Sequence, residues 1–202
     1  MNKIIFGSLL YINTVNFDNK KIISEIDNTV SSFKKTKKNV KHDKHNFYVL
    51  EKPKFNKLKK QIMKEIKEYT KNVMQWDSDF KITTSWFTEI NKGDSSQLHN
   101  HRNCFLSGVI YLQVNPQSGN ILFENRMTQQ IFYPKVLQHN EFNADSYSIA
   151  PQNGMILIFP SQICHLIEKN KSDLTRYSLA FNVMPVGSVG DVYTDSHTHI
   201  NH

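Results

Sequence analysis

The hydrophobic rhythm of the chain changes near Lys81. Before it, apolar residues recur every three or four positions. Ile22, Ile26, Val30 and Phe33 predict an amphipathic helix over residues 19–36, with Asp18 placed to cap it. The polar stretch from Lys34 to His45 reads as a loop. Pro53 then marks a helix start, and Phe55, Leu58, Ile62, Ile66, Tyr69 and Val73 predict a second helix over about 54–74, its lysines on the outer face. The apolar opening from Ile4 to Ile12 reads as a first strand. A single lysine precedes it and no small-x-small pattern follows, so it does not read as a signal peptide.

After Lys81 the period shortens towards two. Apolar runs fall at Ile82–Ile90, Cys104–Val114, Asn120–Glu124, Tyr147–Ala150, Met155–Phe159, Cys164–Ile167 and Thr175–Met184. Turn residues separate them, as in Asn91-Lys92-Gly93-Asp94 and Pro151-Gln152-Asn153-Gly154. Short strands at this spacing predict a β-sandwich or barrel. The expected organisation is an N-terminal strand with basic amphipathic helices over 1–81, a β core over 82–186, and a poorly ordered polar tail over 187–202.

Composition narrows the picture. In 202 residues there are two cysteines, which excludes a disulfide-built scaffold and leaves Cys104 and Cys164 as thiols in a cytoplasmic protein, or in host cytoplasm if the chain is viral. No apolar run approaches the ~20 residues of a membrane helix, so no membrane partner is expected. The net charge of +7 is unevenly placed. Residues 1–81 hold 18 lysines against nine acids, whereas the rest is slightly acidic. Nucleic acid is the weaker reading of that basic half, because lysine stems also simply cover helix surfaces and no aromatics interleave them.

Candidate chemistry lies in the β part. His99-Asn100-His101 places two imidazoles on one side of an extended segment, directly before an apolar strand. His165 lies in another apolar stretch, where an imidazole needs a partner, either a backbone group or a metal shared with the first two. The tail pair His197 and His199 has the same spacing but no strand around it. Arg176 follows His165 by eleven residues across the turn Asn170–Asp173, which returns it to the level of His165. Along Thr175–Met184, Tyr177, Leu179, Phe181 and Val183 are apolar while Arg176, Ser178, Ala180 and Asn182 are polar or small, so that second face is expected to line a polar cavity. Arg176 suits a carboxylate held bidentately, with Ser178 adding a hydroxyl. Tyr111 is a further donor for such a ligand, or a core residue; Asn120 and Arg126 shape the cavity mouth or form a turn and a surface charge. Cys164 and His165 are adjacent on a strand and point apart, which excludes a nucleophile pair.

The order His99-x-His101, Leu106–Leu112, Ser118–Phe123, Gly154–Pro160 with His165, then Arg176-Tyr177-Ser178 and Phe181-Asn182 resembles the 2-oxoglutarate/Fe(II) oxygenases of bacterial and phage type. The resemblance covers about residues 82–186. It implies a mainly β fold: a double-stranded β-helix (jelly-roll, cupin-like) core with N-terminal α-helices packed on one sheet. It also implies a dioxygenase that uses Fe(II), dioxygen and 2-oxoglutarate to hydroxylate an unidentified substrate, releasing succinate and CO2. His99, His101 and His165 match its metal positions; Arg176, Ser178, Tyr111 and Asn182 match its cosubstrate side. His101 stands where the family usually has a carboxylate, and Asp94 or Asn103 offer other registers. The alternative is a cupin-like jelly roll that binds metal or ligand without turnover.

Overall fold

In this computed structural model, residues 7–27, 33–35, 41–43, 47–125, 134–140 and 143–201 are described. The strands are β1 (Tyr11–Thr14), β2 (Phe33–Lys35), β3 (Lys41–Asp43), β4 (Asp79–Ile90), β5 (Leu106–Gln113), β6 (Ile121–Glu124), β7 (Ser146–Ile149), β8 (Met155–Pro160), β9 (Cys164–Ile167), β10 (Arg176–Val189) and β11 (Thr198–Ile200). The helices are α1 (Asn19–Asp27) and α2 (Asn56–Lys67), the latter continued by a wide turn over Glu68–Val73. A large antiparallel sheet runs β1-β8-β5-β10-β4-β3-β2, and a small one runs β7-β6-β9.

The two sheets face each other across a cavity, and the helices close the outer side of the large sheet. Leu58, Ile62 and Ile66 of α2 join Leu179, Phe181 and Val183 of β10 in one apolar core. That core explains why these residues recur at helical spacing in α2 and alternate in β10. Gly108 of β5 lies opposite Phe181. A Cβ there would sit 2.3 Å from the Phe181 ring, so glycine is what admits that ring.

The strands after Lys81 follow the apolar runs closely. The N-terminal part departs from expectation in three places. Helix is described over Asn19–Asp27, residues 28–32 lie outside the described residues, and Phe33–Lys35 is a strand rather than helix. The stretch read as loop contains β3, which pairs with β2 and with β4. The tail is corrected as well: β10 runs on to Val189, and β11 pairs with its last three residues. Backbone pairing does not require apolar side chains, so polarity alone was a poor guide there. The expected first strand is displaced: residues 7–10 are irregular, β1 begins at Tyr11 and runs on to Thr14, and Ile4–Phe6 lie outside the described residues.

Candidate metal centre and cavity

Backbone pairing carries the first two ligand candidates to the third. His99 donates its N–H to the His165 carbonyl at 3.0 Å and accepts from the His165 N–H at 2.8 Å, a lone antiparallel bridge on the edge of the small sheet. The His101 N–H donates to the Ser161 carbonyl at 3.0 Å. Asn103 then takes a left-handed turn, φ 59°, as the chain enters β5. The result is one ligand atom from each of His99, His101 and His165 within 4.8 Å of the others. His165 is buried against Phe159 and Phe123, and the Trp86 ring lies 5.6 Å from that of His101. Asp94 does not belong to this group.

Hydrogen bonding sets which ring nitrogen is available. Nδ1 of His99 lies 2.8 Å from the Gln97 carbonyl, and Nδ1 of His165 lies 3.0 Å from the Ile163 carbonyl. A carbonyl only accepts, so each Nδ1 carries the proton and each Nε2 keeps a lone pair free for a metal. Burial holds the His165 pKa down at about 3, so this ring is neutral at ordinary pH.

A cavity of about 750 Å³ opens from these imidazoles and is lined by the second face of β10: Arg176, Ser178, Ala180 and Asn182. The alternation read from sequence is therefore in register. Arg176 is fully buried. Its Nη1 donates to the carbonyls of Ser118, at 3.2 Å, and Gly119, and its guanidinium lies 5.0 Å from the Tyr111 ring centre. Gly119 has φ +81°, and a Cβ would meet the Glu168 carbonyl at 2.2 Å, so glycine lets this turn aim its carbonyls at Arg176. Nε and Nη2 of Arg176 and the Tyr111 hydroxyl are buried and, apart from one another, without a partner. Three such atoms on one wall suit a ligand with acceptor oxygens. Burial disfavours the charged form of Arg176, yet a guanidinium stays protonated, so the wall is cationic.

Ser178 lies opposite Tyr111 and Thr88, beside this wall. Asn182 lines the same cavity from farther along β10, six residues and roughly 20 Å of strand away. Its amide donates to Thr84 Oγ1 at 2.9 Å and accepts from Ser107 Oγ at 2.8 Å. Asn182 and Arg176 thus face the same cavity, six positions apart on one strand face. Asn120 donates to Ser148 at the surface, and Arg126 lies outside the described residues.

Sequence reading missed Trp86, Thr84 and Thr88 of β4, and Phe47. The β4 residues alternate towards the cavity, a signal present in the sequence but overlooked inside a strongly apolar run. Phe47 had no signal. It is brought in by its carbonyl, which accepts from the Ser85 N–H at 2.7 Å, and its ring packs edge-on against Trp86.

Residues 84–182 match a family model described as "Putative 2OG-Fe(II) oxygenase". No curated protein sequence matches the chain. Among solved structures, the chain is similar to HygX from Streptomyces hygroscopicus, solved with nickel and 2-oxoglutarate bound: identity is 10%, coverage is 96% of this chain and 91% of that one, and the TM-score is 0.61. It is similar to SnoN, a non-heme alpha ketoglutarate dependent epimerase from nogalamycin biosynthesis, at 10% identity over 92% and 82% of the chains, TM-score 0.66. A Pseudomonas putida prolyl-4-hydroxylase is 11% identical over 86% and 91%, TM-score 0.57. These likenesses show the shared fold, a double-stranded β-helix.

Proposed function

We propose, for a chain that belongs to the 2-oxoglutarate/Fe(II) oxygenases through residues 84–182, that His99, His101 and His165 hold Fe(II) and that Arg176 holds the far carboxylate of 2-oxoglutarate. One observation carries this reading: a fully buried arginine with two N–H groups unpartnered beyond Tyr111 lines the same cavity as three converging imidazoles. Nothing in an apolar-walled structural site calls for a buried guanidinium, since an unpaired buried charge is costly. An anionic ligand removes that cost.

The bound metal and 2-oxoglutarate supply the oxidising chemistry, consuming dioxygen and yielding succinate, CO2 and an oxidised substrate. The chain's own residues bind and orient. His99 and His165 are held in the metal-binding tautomer by backbone carbonyls, which also fix their ring planes. Arg176 offers Nε and Nη2 as a fork for two carboxylate oxygens, with the Tyr111 and Ser178 hydroxyls beside it. Carbonyls of Ser118 and Gly119 keep the fork from swinging. Phe123 and Phe159 exclude water from one side of His165. Thr84, Trp86, Phe47 and Asn182, at the end away from Arg176, are left for the substrate.

The test is anaerobic calorimetry with Mn(II), then 2-oxoglutarate, followed by a succinate assay with Fe(II) and dioxygen. Sequential binding of both, with succinate formed on adding oxygen, is the expected result. Metal binding without any binding of 2-oxoglutarate would overturn the oxygenase reading in favour of a jelly-roll metal binder.

A further inference from the structure

We infer that Asn182 is a positioning residue for His101, acting through a row of side-chain hydrogen bonds that crosses the large sheet. The inference rests on the metal-ligand role proposed above for His101. Thr84 of β4, Asn182 of β10 and Ser107 of β5 stand directly opposite one another on three neighbouring strands. The Asn182 amide donates to Thr84 Oγ1 at 2.9 Å and accepts from Ser107 Oγ at 2.8 Å. Ser107 Oγ lies in turn 3.0 Å from the Oγ of Ser161, just past the end of β8. Ser107 gives its one proton to Asn182, so Ser161 is the donor in that last contact. Both serines are buried, while Asn182 and Thr84 line the cavity.

Both ends of the row reach His101. At one end, the Ser161 carbonyl accepts the His101 N–H at 3.0 Å. At the other, Trp86 stands two residues beyond Thr84 on the cavity face of β4, and its ring lies 5.6 Å from the His101 ring. The middle of the row carries a β-bulge. Pairing of β10 with β4 shifts between Asn182 and Val183, leaving Thr83 as the extra residue, and its hydroxyl donates to the Asn182 carbonyl at 3.3 Å. Bulges re-aim the side chains beside them, and this one sits at Asn182. Stability does not explain the row. A satisfied buried hydrogen bond adds little net stability, and apolar residues of the same shape replace such pairs at little cost. What a hydrogen bond adds over an apolar contact is direction. The row therefore fixes where Ser161, and with it His101, stands relative to β10.

The experiment measures Mn(II) affinity by calorimetry and the visible spectrum with Co(II) in the full chain. The proteins are the parent, Ser107→Ala, Asn182→Leu and the double variant, none of which loses a metal ligand. Each single variant should bind Mn(II) roughly three- to tenfold more weakly, less than is usual for loss of a group bonded to a ligand ring, and should shift the Co(II) bands. Both substitutions cut the same row, so the double variant should lose no more than the worse single one. Thr84→Val removes only the last hydroxyl of the row and should have the smallest effect. Parent-like affinity and spectrum in both single variants overturns the inference, as does a double variant in which the two losses add. Mn(II) affinity that merely follows the urea midpoint from variant to variant, with the Co(II) bands unmoved, overturns it as well. If Asn182→Leu does not fold, Ser107→Ala and Ser161→Ala make the same cycle, read in the same way. Failure of the parent itself to bind Mn(II) and Co(II) overturns the metal-ligand reading and the inference together.

Discussion

The two faces of β10 come from alternate residues of one strand and meet opposite requirements. On one face Leu179, Phe181 and Val183 are sealed under α2 and make only apolar contacts that hold the fold. On the other, Arg176 is buried just as deeply, yet two of its N–H groups have no partner beyond Tyr111. Equal burial thus means completed packing on one side and an unmet need on the other. Depth alone does not separate core from site; satisfaction of polar groups does.

The sharpest way to break this contrast is to cut into both faces. Phe181→Ala empties a ring-sized space in the core and should cost about 3–5 kcal/mol of folding stability, read from urea denaturation. Arg176→Ala removes a strained charge, so its folding stability should be unchanged or slightly higher. Its cost appears in calorimetry: 2-oxoglutarate affinity should drop by roughly 2–5 kcal/mol, thirtyfold or more, with Mn(II) affinity kept. A loss of folding stability in Arg176→Ala as large as in Phe181→Ala would show that Arg176 is a core residue after all.

Acid should sharpen the comparison further. In the metal-free protein His165 has a pKa of about 3, below its ordinary value near 6.5. Between those values the unfolded chain takes up a proton that the folded chain refuses, so the His165 contribution to stability is intact above about pH 6.5 and is lost progressively as pH falls towards 3. His165→Gln lacks this titration. Urea midpoints of parent and variant, followed from pH 7 to pH 4, should differ by a margin that shifts against the parent as pH falls. A margin constant with pH would place His165 in a wetter site. The smallest effect is expected of Arg176→Lys, which keeps the charge but not the fork. It should bind 2-oxoglutarate less tightly than the parent and more tightly than Arg176→Ala.

How much was legible follows from the range of the interactions involved. The β core from Ile82 onward could be read because a half-buried strand writes its burial into a period of two. His165 and Arg176 were legible because they lie on strands, within β9 and at the start of β10. His99 and His101 lie in the irregular segment between β4 and β5 and were legible by their spacing alone. Phe47 was not, since only its backbone bond to Ser85 brings it to the cavity wall. Asn182 could be placed on the cavity face, but alternation gives direction and not distance, so its separation from Arg176 had to come from the structure. The first helix overran for a related reason: Phe33 continues the helical spacing from Ile26 by accident, while its actual partner is Asp43 across a hairpin.

The bridge between His99 and His165 has one more consequence. It is made entirely of main-chain groups, 66 positions apart along the chain, and any residue except proline can form it. The scaffold that brings the donor positions together is thus indifferent to which donors occupy them. Replacing an imidazole by a carboxylate at position 101 alters the charge of the centre without unfastening its frame. The architecture and the chemistry of this site can therefore drift independently, the one inherited and the other retuned one side chain at a time.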